Sequence, residues 1–183
     1  MENVIITGAC GGLGSCLTDE FLRDGCRVFA LDIREETETA GHEDRSSELY
    51  QFLKTDAGSE DAVRKTMEKI AEMTPRVDLL VNCWGILPAN SANVLENFDI
   101  DSSIDVFNIN TLGPLRSIKY ALPLLREGQG KTIVNISSEA GSMMAHENYV
   151  FRYDYCGSKA ALNIQSIILQ RYLKGEGFRV LLF

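Results

Sequence analysis

No stretch of the 183-residue chain approaches the roughly 18–20 apolar residues in a row that a membrane-spanning helix requires. The start, MENVIITG, carries no basic leader before its first apolar run, so no secretory signal is read there. Positive charge is in deficit: 18 Lys and Arg stand against 26 Asp and Glu, a formal balance of −8. That sign argues against general binding to nucleic acid or to an anionic membrane surface. There is no CxxC pair and no Cys/His cluster. The five cysteines (Cys10, Cys16, Cys26, Cys83, Cys156) are odd in number and scattered, as expected for reduced thiols in a cytoplasmic protein and not for a metal centre or a disulfide framework. Internal repeats and linker-like stretches are also missing, so one domain over 1–183 is expected, long enough to bury a single core.

What is present is an alternation. Short apolar runs at NVIIT (3–7), RVFALD (27–32), VDLLVN (77–82), KTIVNIS (131–137) and FRVLLF (178–183) read as strands, and YQFLKTD (50–56) falls in the same rhythm. Between them, helical spacing predicts helices over 13–23, 59–73 with Ser59 as N-cap, 101–126 and 155–173. The polar, acidic stretch 34–47 reads as a solvated loop. Strands apolar on both faces and separated by helices imply a buried parallel sheet in a three-layer α/β/α arrangement. Right-handed crossovers make it a doubly wound, Rossmann-type sheet of six strands, with ligands bound beyond the strands' carboxyl ends.

The first such end releases TGACGGLG (Thr7–Gly14), four glycines in eight residues. Gly8, Gly12 and Gly14 can turn the chain tightly and present backbone N–H groups and a helix N-terminus to a pyrophosphate. The spacing is GxxxGxG, not GxGxxG, and a tight turn without ligand remains the competing reading. Asp32 ends the second strand 18 residues after Gly14, where a carboxylate bonds ribose hydroxyls and repels a 2′-phosphate. NAD is therefore the favoured cofactor; NADP would need Arg34 to turn toward its phosphate.

Tyr155 and Lys159, at i and i+4, share one helical face. A neighbouring ammonium favours phenolate and makes a tyrosine usable as a proton donor and acceptor. Ser138, at the end of the fifth strand, lies at the same sheet edge and can bond a carbonyl oxygen. Asn110 can hold a water or backbone group toward Lys159. Tyr153 and Ser137 duplicate the catalytic types but fall out of pattern, and are read as structural or pocket-lining.

Together TGACGGLG, Asp56 in KTDA, NCWG, NINTLGP, NISSEAG and YCGSK resemble the short-chain dehydrogenase/reductase family over essentially the whole chain. Within that family, RYDYCGSKAALN is most similar to the C-factor and sniffer-type carbonyl reductases. The resemblance implies a catalytic set of Asn110, Ser138, Tyr155 and Lys159. It implies a cofactor-binding set of Thr7, Gly8, Gly12, Leu13, Gly14, Asp32, Asp56, Ala57, Asn82 and Gly85, with Tyr155 and Lys159. It also implies a small carbonyl or alcohol substrate and a homodimer or homotetramer built on the two longest helices. Two departures stand out. Trp84 occupies a position where the family has a small residue, and packing is its first expected role. The sequence also ends after the sixth strand, where family members continue into a substrate-covering segment and a seventh strand, so an open sheet edge is expected. The segment 142–153, with Met143, Met144, Tyr149 and Phe151, is expected to border an apolar or aromatic carbonyl substrate, or else to pack against a neighbour. The rival to an oxidoreductase is an NAD-binding sensor of the same fold with little catalysis.

Overall fold

The computed structural model describes residues 1–35, 47–144 and 150–183. Six strands form one sheet: β1 (Asn3–Thr7), β2 (Arg27–Asp32), β3 (Tyr50–Lys54), β4 (Leu79–Asn82), β5 (Thr132–Asn135) and β6 (Arg179–Leu182). Their order is β3-β2-β1-β4-β5-β6 and every pairing is parallel. The order reverses direction between β1 and β4, which is the switch point of a doubly wound sheet. The register sets Thr7 opposite Asn82 and Asn82 opposite Asn135, so these polar strand ends share one edge.

Alternation along each strand sends side chains to two different cores. Ile5, Phe29, Leu31, Leu80 and Ile133 meet α2 (Glu60–Met73), α4 (Gly113–Glu127) and the end of α5 (Tyr153–Leu173) through Val63, Met67, Ile70, Ile118, Leu125 and Leu173. Val4, Ile6, Val28, Ala30 and Val81 face the other way, toward Leu17, Phe21 and Leu22 of α1 (Gly12–Arg23). Ser59 caps α2 by accepting the N–H of Ala62 at 3.2 Å, as its sequence position predicts.

The helix expected over 101–126 is present but changes type along its length. A 3-10 turn (Ile100–Ser102) leads into the short α3 (Ser103–Phe107), a π-helical turn covers Asn108–Leu112, and α4 follows without interruption. Pro114, next to the widened turn, has no N–H to give the carbonyl of Asn110, its partner in a regular helix. The buried Asn110 side chain bonds the backbone of Ile86 from that turn. The apolar three- and four-residue spacing runs through the π turn, so periodicity shows the helix but not its change of type. Helix α5 begins at Tyr153, two residues earlier than predicted. Most of the predicted loop 34–47, and Tyr149 with its neighbours, lie outside the described residues.

Among the described residues β6 pairs only with β5, leaving Leu181, Leu182 and Phe183 exposed at an open edge. Beside it, on the α1 face, lies an apolar groove of about 360 Å³ lined by Leu13, Leu17, Phe21, Leu79, Val81, Val134, Ile136 and Phe183.

Candidate functional site

At the carboxyl end of β1 the glycines have separate jobs. Gly8 has φ +66°, and a Cβ there would meet the Cys83 carbonyl oxygen at 2.9 Å. Gly14 packs α1 onto the loop: its Cβ would lie 2.2 Å from Gly8 O. Gly11, which sequence reasoning did not single out, is the N-cap of α1 and lines the cleft. Around Gly12 a Cβ would have nothing within 4 Å. Helix α1 has no side-chain cap and no acidic residue in its first turn, so its N-terminal N–H groups and dipole are available to an anion. Thr7 Oγ1 accepts the N–H groups of Cys83 and Trp84 at 3.1 and 3.4 Å and ties the β4 exit to the glycine loop.

A cleft of about 480 Å³ opens over this loop, lined by Gly8, Gly11, Asp32, Arg34, Asp56, Ala57, Trp84, Gly85, Ile86 and Ile109, among others. Asp32 is buried, and its Oδ2 accepts the N–H of Cys10 at 2.8 Å. Its Oδ1 accepts the N–H of Arg34 at 3.0 Å and lies 3.4 Å from Arg34 Nε. The guanidinium passes Gly11 closely, 3.6 Å from where a Cβ would stand. Asp56 Oδ1 accepts the N–H of Gly58 at 2.8 Å, and Ala57 O accepts Arg116 Nη1 at 2.9 Å. Leu13, by contrast, lines the separate groove on the α1 face. Trp84 packs into the larger core, 3.5 Å from where a Gly113 Cβ would lie, with one side on the cleft. A Cβ at 113 would meet that ring at ordinary contact distance and the Ala57 methyl more tightly, at 3.3 Å. Gly8 and Gly11 lining the cleft, open space at Gly12, helix N–H groups without a side-chain cap and a carboxylate at the β2 end fit a dinucleotide.

Behind Gly85, which lines the cleft, Lys159 is 4% exposed. Its Nζ donates to Ile136 O at 2.9 Å and stands 5.8 Å from the centre of the Tyr155 ring. A Cβ on Gly85 would lie 3.6 Å from both Lys159 Nζ and Asn110 Oδ1, so the ammonium and the amide converge on the cleft wall. Burial pulls the Lys159 pKa below its usual value. Burial drives the neighbouring Cys83 thiol up to about 12, against the pull of Lys159, so Cys83 stays protonated and a poor nucleophile. Burial likewise raises the Cys156 thiol. Ser138 caps the 3-10 turn Glu139–Gly141, its Oγ accepting the N–H of Ala140 at 3.1 Å. Gly141 lets that turn press on α5, since a Cβ there would be 2.8 Å from the backbone of Lys159. Asn110 is fully buried. It accepts the N–H of Ile86 at 2.7 Å, donates to Ile86 O at 3.0 Å and donates to Ser158 Oγ at 3.1 Å. Its side chain thus holds a backbone group, that of Ile86, next to the Gly85 position that Lys159 also flanks.

The family model described as short chain dehydrogenase matches residues 2–182. The chain belongs to the short-chain dehydrogenase/reductase family. An uncharacterized oxidoreductase of Thermotoga maritima is 32% identical over 171 residues, covering 87% of this chain and 61% of its own length. The rhamnolipids biosynthesis 3-oxoacyl-[acyl-carrier-protein] reductase of Pseudomonas aeruginosa is 30% identical over 187 residues, 96% of this chain and 68% of that protein. Among solved structures, the Pseudomonas aeruginosa RhlG/NADP active-site complex superposes with a TM-score of 0.83 at 28% identity, covering 99% of this chain and 70% of that one. The chain therefore spans about two thirds of the length of these relatives.

Within this chain, sequence reasoning singled out Asn82 but missed Ser117, Asn135 and Ser166, the buried polar residues that join it to the neighbouring elements. Ser117 Oγ donates to Asn82 Oδ1 at 2.5 Å, Asn82 Nδ2 to Asn135 Oδ1 at 2.8 Å, and Asn135 Nδ2 to Ser166 Oγ at 2.9 Å. That chain of bonds crosses α4, β4, β5 and α5. Asn82 thus knits the sheet edge, while Cys83, Trp84 and Gly85 of the NCWG segment line the cleft and Gly85 lies next to Lys159. Ser117 and Ser166 occupy inward positions of apolar helix faces, the one sequence signal that marks them.

Proposed function

We propose that this chain is a nicotinamide-dependent oxidoreductase that interconverts a secondary alcohol and a carbonyl compound, with Tyr155 as the proton donor and acceptor. The observation that carries the reading is the buried Lys159 ammonium, 5.8 Å from the Tyr155 ring and beside Gly85, which lines a dinucleotide-shaped cleft. When bound, the nicotinamide would accept or supply the hydride. The phenol of Tyr155 takes the alcohol proton in the oxidative direction and returns it in the reductive one. The Lys159 ammonium stands beside the ring through which that proton passes. Ser138 orients the substrate oxygen, and Asn110 keeps the wall at Ile86 in register. Gly8, Gly11, Gly12 and the α1 N-terminus would hold the pyrophosphate. Asp32 would hold the adenosine ribose, and its charge favours NAD; Asp56 would meet the adenine.

The exposed Met143 and Met144 after Ser138 favour a substrate with apolar groups flanking the carbonyl. Exposed apolar residues on α3 and α4 (Ile104, Phe107, Leu115) and on α5 (Ile164, Ile168, Tyr172) support self-association as a dimer or tetramer.

The test is a fluorescence titration with NADH and NADPH, read at the single Trp84, followed by turnover on a panel of secondary alcohols and ketones. NADH is expected to bind more tightly. Tyr155→Phe is expected to lose at least about 100-fold in kcat while cofactor Kd changes little. Undiminished turnover in that variant overturns the mechanism. Tight NADH binding with no turnover on any substrate would favour the sensor reading instead.

A further inference from the structure

Tyr155 is held on both sides of its own backbone. Its N–H donates to Asp154 Oδ1 at 2.7 Å, and its carbonyl accepts the Ser158 hydroxyl at 2.8 Å. Each bond continues outward. Asp154 Oδ2 accepts the hydroxyl of Ser91 at 2.7 Å. On the other side Ser158 Oγ accepts Asn110 Nδ2, and Asn110 grips both backbone polar atoms of Ile86. The two arms land on one short segment: Ile86, which lines the cleft, and Ser91, in the 3-10 turn Ala89–Ala92.

Ser91 and Asp154 are each 1% exposed. A carboxylate so deep persists only when both oxygens have partners. Here one partner is Ser91, five residues beyond the cleft-lining Ile86, and the other is the N–H of Tyr155. That N–H belongs to the first turn of α5, where no intrahelical acceptor exists. The residue before the helix, Arg152, offers no side-chain cap and lies at φ +65°. Asp154 therefore does from inside the helix what an N-cap would do. The ring of Phe98, which follows the next 3-10 turn (Leu95–Asn97), packs on Tyr153 at 5.9 Å between centres.

We propose that Ser91 and Asp154 are positioning residues that couple the cleft wall at 85–91 to the backbone of Tyr155, so that filling the cleft sets the angle of the phenol. The inference rests on the reading of Tyr155 as the proton-transfer residue. Neither residue touches reacting atoms. Their effect travels through a closed ring of hydrogen bonds in which a shift of the wall moves both ends of the Tyr155 peptide. A displacement of about 1 Å at a reacting group is enough to cost on the order of 100-fold in rate.

Three variants test it: Ser91→Ala, Asp154→Ala and Asp154→Asn. The last keeps both bonds, because the amide oxygen accepts the Tyr155 N–H and the amide nitrogen donates to the serine oxygen. Ser91→Ala and Asp154→Ala are expected to lower kcat at least about tenfold, with KM for NADH and substrate changed less than about threefold. Asp154→Asn is expected to stay within about threefold of the parent. Without substrate, NADH is expected to slow amide hydrogen exchange at 85–91 in every variant. At 153–156 it should do so only in the parent and Asp154→Asn. Parental kcat in both alanine variants overturns the proposal. So does a matching rise in KM, an Asp154→Asn protein as slow as Asp154→Ala, or an NADH response at 153–156 that survives Ser91→Ala. If Tyr155→Phe retains turnover, the proton-transfer reading fails while the exchange experiment still judges the coupling.

Discussion

Gly12 and Gly14, two residues apart, are expected to respond to the same substitution in opposite ways. At Gly14 a methyl would be placed 2.2 Å from Gly8 O and 2.8 Å from Gly8 C, both rigid backbone atoms. Overpacking of that kind costs about 1–3 kcal/mol, and more where backbone must move. At Gly12 the same methyl meets nothing within 4 Å. Replacing a helical glycine by alanine contributes up to about 1 kcal/mol, less at the first helical position. For a chain of this length about 1 kcal/mol corresponds to about 2–4 °C in Tm. Gly14→Ala should therefore melt several degrees below the parent, and Gly12→Ala at or slightly above it. The ligand reverses the comparison for Gly12. If the open space there is kept for a pyrophosphate, the added methyl occupies it. Gly12→Ala is then expected to lose at least about tenfold in NADH affinity, about 1.4 kcal/mol, while being no less stable. Thermal melts by circular dichroism with and without NADH, and Trp84 fluorescence for Kd, decide the matter. A Gly12→Ala protein that binds NADH as tightly as the parent would refute the assignment of the loop, whatever its stability.

Two further expectations concern pH. The Lys159 pKa is depressed below its usual 10.5 by burial, so between the folded and unfolded values the unfolded chain binds more protons and parental stability rises with pH. Urea unfolding of the parent and of Lys159→Met should therefore diverge in the parent's favour as pH rises toward 10.5; parallel behaviour up to that pH would contradict an amine whose pKa burial depresses. Asp78 is opposed by burial, but backbone N–H groups of Asn3, Gln129 and Gly130 outweigh it and hold its carboxyl below the usual 3.8. That stability is present above the unfolded pKa and lost as pH falls through the folded one, so the parent should lose its advantage over Asp78→Asn on acidification from pH 7 to 3.

Several elements could be read from the chain alone because their causes are local. Apolar runs buried on both faces made β1, β2 and β4 recognisable, and Ser59 marked the start of α2 through its own hydroxyl. The order of Asn110, Ser138, Tyr155 and Lys159 after a glycine loop was enough to point to a family. The π-helical turn at Asn108–Leu112 was not legible as such: Pro114 marks the place, but the widening shows only in which backbone groups meet, and an apolar period cannot register it.

The same distinction separates the residues of the site. Composition, spacing and the i, i+4 pairing of Tyr155 with Lys159 were settled by the sequence, since helix geometry alone brings those two side chains to one face. The division of labour among the glycines, the packing of Trp84 over Gly113, and the joining of Ser91 to Asp154 across 63 positions were decided only by the tertiary structure. Each depends on which backbone lies within a few ångströms, and that distance is set by how the helices seat on the sheet, not by any neighbour along the chain.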